Sequence, residues 1–415
     1  MNTMNENQDR DHKKLGQELD LYHIDEKVGK GLVMWTPKGT TIKLELENFT
    51  RELERKYGYE HVSTPYLGGE DLYKTSGHLD HYRSNMYSPI DMDGDIFYLR
   101  PMACPHHIRL LMRKPLSYRD FPVRYAEIAD YNRYEKSGEL MGTIRTRKFE
   151  LTDGHLFVRT DQLKDEFVNV CKMIAEGMNG LGISNIVTYR FSKRDPLNNE
   201  KYYPDNELWN KAESVMKQAL DEVGFDYVEA EDEAAFYGPK LDIQATNVNG
   251  KEDTLFTAQI DFLLPEKFNI TYTDAHGEDK RPVMIHRSTI GSLGRIFAFL
   301  TEHYGGKYPL WLSPVHVKIL PIGESHFNYA LEIMDTLKER EIRTECDTSD
   351  ETLSKKIRNA KLEKIPYLLI IGDKEVSDKK VTVESRDFGN LGAINLDEFV
   401  NKLKKEIKGK NNIGN

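Results

Sequence analysis

Two arginine-bearing segments hold the clearest chemical potential in the chain. YNRYEKSGELMGTIRTRKF, residues 131–149, places Arg133, Arg145 and Arg147 on a turn-containing hairpin, and IHRSTIGSLGRIFAFL, residues 285–300, is a Gly-containing stretch that enters an apolar helix with Arg295 near its start. Guanidinium groups fixed in this way can neutralise a triphosphate and the charge that grows on its α-phosphate during displacement. Arginines on a hairpin are more often a solvated face, so neither segment singles out phosphate chemistry by itself. The three cysteines, Cys104, Cys171 and Cys346, are odd in number and far apart, which argues against a disulfide framework and leaves thiolate or metal chemistry. Of these, Cys171 and Cys346 read as buried thiols.

The elements that must position these residues follow from hydrophobic periodicity. From about Gly39, Ile42, Leu46, Phe49 and Leu53 recur at helical spacing, Gly58 stops the helix, and HVSTP supplies an extended segment. FYLRPMAC, FPVRYAEIADYNRYE and KFELTDGHLFVR are β-rich or alternating and are separated by short turns, as an antiparallel sheet requires. Leu163, Phe167, Val170, Ile174 and Met178 then line one helical face, a second helix is expected around Trp209–Val223, and further strands follow. Helices and an antiparallel sheet are thus mixed in one large domain over residues 11–312. Beyond YPLWLSP the pattern alternates: HVKILPI, a helix with Phe327, Ala330, Met334 and Leu337 on one face, IRTECD, another helix and PYLLIIG predict a small α/β domain with a mixed or largely parallel sheet over residues 313–407. Residues 1–10 and 408–415 are polar and read as disordered tails.

Composition narrows the class. With 415 residues, 39% of them hydrophobic and 30% charged, the chain can build two or three cores, so it is neither disordered nor fibrous. No stretch approaches the ~20 consecutive apolar residues of a membrane helix, and MNTMNENQDRDHKK has no apolar core of a secretory signal, so no membrane partner and a cytoplasmic location are expected. A net charge of -10 argues against nonspecific coating of nucleic acid; an RNA partner would have to meet local basic patches.

With these segments in place, the chain resembles bacterial threonyl-tRNA synthetases from RDHKKLGQELDLY to its end. The strings that carry the resemblance are KTSGHLDHY, LRPMACPHH, RYAEIADYNRYEKSG, GHLFVR, EAAFYGPKLD, AQIDFLLPE, PVMIHRS and IPYLLIIGDKEV. The resemblance implies an α+β class II catalytic domain, an antiparallel sheet flanked by helices, followed by an α/β anticodon-binding domain. It also implies ATP with Mg2+, threonine and threonine tRNA as partners, and a homodimer formed through the first motif, the helix and strand ending at Pro65. By resemblance, Arg133 contacts the α-phosphate and the substrate carboxylate, Glu135 accepts from the adenine amino group, and Arg145 meets the γ-phosphate. Arg295 stacks on adenine opposite Phe149. Cys104, His155 and His286 match three zinc ligands, leaving a tetrahedral position for the substrate amino and hydroxyl groups, which selects a β-hydroxyl over isosteric valine. Asp153 matches the carboxylate that accepts from the substrate ammonium, Tyr237 and Gln259 match further pocket residues, and His78 matches a histidine implicated in transfer to tRNA. His106 and His107 read as structural.

Several positions depart from the pattern the chain resembles. Ala103 stands for Asn, Gly294 for Glu before the motif-three Arg, and Lys148 and Glu150 for Gly and Thr in the motif-two loop, which puts catalytic rate in question. In SDETLSKKIR, Ser349, Asp350 and Thr352 replace Arg, Asn and Lys, and Glu384 stands for an anticodon-contacting Arg, while Glu375 matches; altered anticodon reading is expected. The 415 residues contain no counterpart of the small N-terminal and editing domains, from which a short form without editing in cis is expected. A missing methyl is worth only ~1–3 kcal/mol, so serine should be rejected weakly. Three functions stay open: a threonine–tRNA ligase, a duplicated adenylate-forming enzyme with another acceptor, and a catalytically silent binding or regulatory protein.

Overall fold

The computed structural model describes residues 10–198, 200–202 and 204–410, which divide by packing into two compact units. One comprises Ile24–Val33 and Glu47–Ala298; the other gathers the residues up to His23, Met34–Leu46 and those from Phe299 onward. The tails expected at 1–10 and 408–415 lie outside the described residues, apart from Arg10 and residues 408–410. There the expectation fails, because Lys408 and Gly409 complete the last helix, Leu396–Gly409. That helix is started by the Asn395 side chain, which accepts from the Asp397 N–H, and held by buried Phe399, Val400 and Leu403.

The first unit is organised by an eight-stranded sheet. Its strands are β1 (Glu60–His61), β2 (Val123–Asn132), β3 (Lys148–Val158), β4 (Val187–Ser192), β5 (Tyr227–Ala230), β6 (Lys240–Thr246), β7 (Glu252–Asp261) and β8 (Val283–Ser292), in the order β5-β4-β6-β7-β8-β3-β2-β1. The run from β4 to β2 is antiparallel throughout; only the outer pairs, β5 with β4 and β2 with β1, are parallel. Register lines up Gln259 with His286, His286 with His155, and His155 with Tyr125 across β7, β8, β3 and β2.

Helices form where the apolar spacing requires them. In α1 (Pro37–Lys56), Ile42, Leu46, Phe49 and Leu53 are all buried, and in α2 (Cys104–Leu111) Pro105 occupies the first turn, where its missing N–H costs nothing. Leu163, Phe167, Val170, Ile174 and Met178 form the fully buried face of α3 (Leu163–Gly180), each worth roughly 1.5–3 kcal/mol of burial. The helix α4 (Asn206–Val223) is capped by the Asp205 carboxylate, and β8 runs directly into α5 (Leu293–Tyr304).

A buried charge network underlies the sheet. Arg287 donates to Glu54 at 3.0 Å and to Thr289 at 2.8 Å, with its guanidinium 4.0 Å from the Tyr59 ring centroid. Gly154 faces it across the ladder, and a methyl there would lie 2.1 Å from the guanidinium carbon, so β3 can pass this network only with glycine at that position.

The second unit carries a five-stranded mixed sheet. Its strands β9 (Val317–Pro321), β10 (Thr344–Cys346), β11 (Tyr367–Ile371), β12 (Val381–Ser385) and β13 (Gly389–Ile394) are ordered β10-β9-β11-β12-β13, parallel among the first three and antiparallel afterwards. The helices Phe327–Glu339 and Leu396–Gly409 supply Ala330, Leu337 and Phe399 to one core with Val317, Leu369 and Val383; the helix Leu353–Leu362 closes a smaller core with Leu320 and Leu368. Burial of β11 on both faces explains why YLLII reads as an unbroken apolar run rather than an alternation. Cys171 is buried as expected, whereas Cys346, on the edge strand β10, is only half-buried.

Candidate active site

Strand alternation puts Phe149, Leu151, Asp153 and His155 of β3 on one face, and that face forms the floor of a cleft of about 510 Å3 in the first unit. Arg133, Glu135 and Arg145 enter from the loop joining β2 and β3, Tyr237, Gln259 and His286 from the far side, and Arg295 from the first turn of α5. Eleven of the twelve expected catalytic, nucleotide, amino-acid and metal residues thus line one cleft; His78 does not.

The arginines differ in their partners. Arg133 is surrounded by rings, with Phe149 at 5.1 Å and Tyr82 and Tyr131 each at 5.6 Å, and its Nε donates to the Pro101 carbonyl at 3.3 Å. Arg295 donates to the Thr254 carbonyl at 3.0 Å, and burial, with Arg133 and Arg145 nearby, lowers its pKa. Among the described residues neither has a carboxylate within ion-pair distance. By contrast, Arg145 is paired with Glu135 at 2.7 Å and with Glu139 at 3.3 Å. Two uncompensated guanidiniums in one cleft make an anion site.

Deeper in the cleft, Cys104 at the first turn of α2, His155 on β3 and His286 on β8 bring one ligand atom each to within 4.8 Å of one another. Both histidines use their other nitrogen: His286 Nε2 lies 2.7 Å from Asp261, and His155 Nδ1 lies 2.8 Å from His107 Nδ1. Burial pushes the His155 pKa well down, and burial with Asp153 and Asp261 pushes the Cys104 thiol well up. Two closely apposed imidazoles and a buried thiol are the donor set of a tetrahedral zinc-type cation.

Beside this trio, Asp153 accepts from the Tyr131 hydroxyl and from the Gly154 N–H at 2.9 Å, while the Tyr131 oxygen accepts from the Ala103 N–H at 3.0 Å. Tyr237 donates to Gln259, whose amide donates to Thr257 at 2.9 Å. His78 is buried behind the wall: one ring nitrogen meets Ser76 at 2.7 Å and the other the Met102 sulfur at 3.2 Å, with Met102 between it and the cleft. Burial, then Arg133, Lys267 and His286, bring its pKa down to about 4.

The departures in this unit fall away from the cleft. Lys148 and Glu150 occupy the opposite face of β3, where Lys148 bridges Glu150 and Asp130, the latter at 2.6 Å. Ala103 is buried in a cluster with Ala129 and Tyr131, and its backbone rather than its side chain serves the site. Gly294 packs against the loop: the Thr143 hydroxyl donates to its carbonyl at 2.9 Å, and a methyl there would sit 2.6 Å from the Thr143 carbonyl oxygen.

In the second unit, Thr352 is the N-cap of Leu353–Leu362, accepting from the Lys355 N–H at 3.4 Å. Glu375 accepts from the Gly372 N–H at 2.9 Å and from Thr382 at 2.7 Å. Glu384 is paired with Lys361 at 2.7 Å, and Ser349 with Asp347; Asp350 is exposed.

Sequence reasoning passed over Tyr131, which lies two residues before Arg133 and opposes Phe149 in the ladder; alternation along ADYNRYE is the signal that finds it. It also missed that His107 touches His155, a contact no local spacing discloses.

Comparison with known proteins fits this geometry. The class II core domain of tRNA synthetases (G, H, P, S and T) matches residues 85–304, and the anticodon binding domain matches 316–406. The threonine–tRNA ligase of Geobacillus kaustophilus is 48% identical over 98% of this chain and 62% of its own length, and threonine–tRNA ligase 1 of Bacillus subtilis is 47% identical over 98% and 63%. The chain therefore spans just over three fifths of the length of these relatives. A crystal structure described as the RNA binding domain of threonyl-tRNA synthetase from Cryptosporidium parvum superposes with a TM-score of 0.89 at 34% identity, covering 96% of this chain and 98% of that one. The core-domain match covers more than half of the chain, and the chain belongs to the class II tRNA synthetase family.

Proposed function

We propose that the chain is a threonine–tRNA ligase: it joins ATP, taken with Mg2+, and threonine as threonyl-adenylate and transfers the threonyl group to tRNA. The observation that carries this is the meeting, in one cleft, of two unpaired arginines, the Tyr131-held Asp153 and the Cys104–His155–His286 trio. Attack of a carboxylate on phosphorus is repulsive between anions unless cations hold both, and Arg133 and Arg295 are free to do so. Arg133 bridges the amino-acid carboxylate and the α-phosphate, Arg295 and Phe149 flank the adenine, and Asp153 receives the ammonium group. The Glu135–Arg145 pair opens for the nucleotide, Glu135 taking the adenine amino group and Arg145 the γ-phosphate.

Cys104, His155 and His286 fit zinc by donor chemistry and by mutual distance, with the remaining nitrogen of each histidine already engaged. These residues would hold zinc, which would supply Lewis-acid recognition of a substrate amine together with a β-hydroxyl that isosteric valine lacks. His78, behind Met102, reaches the transfer step only if Met102 moves. Lys148 and Glu150, turned away from the cleft, do not favour a silent protein.

The C-terminal unit serves tRNA with altered anticodon reading, since Asp350 and Glu384 offer carboxylates to a polyanion; the Lys361 partner of Glu384 softens that repulsion. A cytoplasmic homodimer completes the reading; no helix among the described residues is long and apolar enough to cross a membrane. Charging assays test the proposal: threonine tRNA is expected to be aminoacylated, with a change of the middle anticodon base altering efficiency by less than about tenfold, ~1.4 kcal/mol. Failure to charge any tRNA would refute the ligase, and a loss beyond about a hundredfold on one base change would refute the altered reading.

A further inference from the structure

We infer that Glu127 and His107 form a positioning relay that fixes the tautomer of His155 and so presents its Nε2 to a metal. The inference rests on the zinc reading above and concerns two residues that do not line the cleft. Glu127, on β2, is buried and receives four donors: the Thr64 N–H at 3.1 Å, the Thr64 hydroxyl at 2.7 Å, Arg100 at 3.1 Å and His107 Nε2 at 2.9 Å. Burial alone would raise its pKa, but His107, Arg100 and Thr64 outweigh it and hold the carboxyl at about 2. An ionised carboxylate can only accept, so His107 Nε2 must carry a proton.

The remaining nitrogen of His107 decides the rest. In the neutral ring Nδ1 is a lone pair, and it faces His155 Nδ1 at 2.8 Å with the two rings edge to face at 85°. One of these nitrogens must donate; with His107 neutral and its proton on Nε2, the donor is His155. Its proton is therefore on Nδ1, and Nε2 is left as the lone pair. His286 is held by the same logic in mirror image: Asp261, whose other oxygen accepts from the Leu263 and Leu264 N–H groups at 2.7 and 3.0 Å, accepts from His286 Nε2–H at 2.7 Å and leaves Nδ1 as the lone pair. His107 is fully buried, so its contacts with Glu127 and His155 are what its polar atoms are for. Outer partners of this kind orient a ligand and raise its basicity, and their loss typically costs ~10–100-fold in metal affinity.

The test uses the full chain and Zn2+ or Co2+ alone. His107→Phe, which keeps a ring but removes the acceptor, should weaken zinc affinity by ~10–100-fold in chelator competition and shift the Co2+ d–d bands. His107→Asn, whose side-chain oxygen can take the place of Nδ1, should recover most of that loss. In zinc-loaded wild-type protein labelled with 15N-histidine, His155 should show a protonated Nδ1 and a metal-shifted Nε2, which decides the matter even where His107→Phe does not fold. A folded His107→Phe with wild-type affinity and spectrum, or coordination through His155 Nδ1, would overturn the relay while leaving the zinc reading intact. Wild-type protein that takes up no zinc would overturn both.

Discussion

The two units depart from the motifs they resemble in different ways. In the cleft-bearing unit, Lys148 and Glu150 lie on the back of β3, Ala103 is packed against Ala129 and Tyr131, and Gly294 gives its surface to the Thr143 backbone. In the C-terminal unit, Asp350 is exposed, Glu384 is half-buried against Lys361, and Thr352 has become a helix cap. A changed residue in a strand matters to chemistry only if its parity points it at the ligand. The first unit has absorbed its changes on the wrong face of its strand or in its packing, whereas the second carries Asp350 exposed and Glu384 half-buried beside Lys361. The contrast predicts that activation chemistry is preserved while tRNA selection is altered.

Four variants test that contrast. Arg133→Ala should have the largest effect, because it removes one of two unpaired cations from the cleft; a loss of ~3–4 kcal/mol, a hundredfold or more, is expected in ATP–pyrophosphate exchange. Wild-type exchange in this variant would refute the role of the cleft. Tyr131→Phe removes the hydroxyl donor of Asp153 while the Gly154 N–H stays in place, and should raise KM for threonine roughly tenfold, ~1–2 kcal/mol, with a smaller change in KM for ATP. Equal changes in both would show that Tyr131 supports the fold and not the amino-acid site.

Thr352→Ala removes the N-cap of Leu353–Leu362, which should cost ~0.5–1 kcal/mol in denaturant unfolding and leave threonine activation untouched. The smallest effect is expected from replacing Lys148 with Gly and Glu150 with Thr together. Their partly exposed ion pairs are worth at most ~1 kcal/mol, and pyrophosphate exchange should stay within about threefold of wild type. A tenfold gain in exchange would mean that these two side chains do restrain the chemistry.

Much of this arrangement was legible in the residues. The buried faces of α1 and α3 follow from 3.6-residue periodicity, and the antiparallel core of the sheet from alternation in β2 and β3. The membership of the cleft came from motif resemblance, since nothing in the spacing of Cys104, His155 and His286 links them. What stayed hidden depends on register and on pairing across the chain. That Glu135 and Arg145 neutralise each other follows from the loop geometry, not from either segment. The position of His78 behind Met102, and the contact of His107 on α2 with His155 on β3, join residues far apart in the sequence. The parallel edge pairs are also beyond local pattern, because β1 and β5 are too short to declare their direction.

Amino-acid-dependent ATP–pyrophosphate exchange tests whether this cleft activates a small β-hydroxy amino acid. Assayed against each of the twenty amino acids, the chain should exchange with threonine, more weakly with serine by a factor set by the ~1–3 kcal/mol of one methyl group, and not with valine. Exchange with valine equal to that with threonine, or no exchange with any amino acid, would contradict the account.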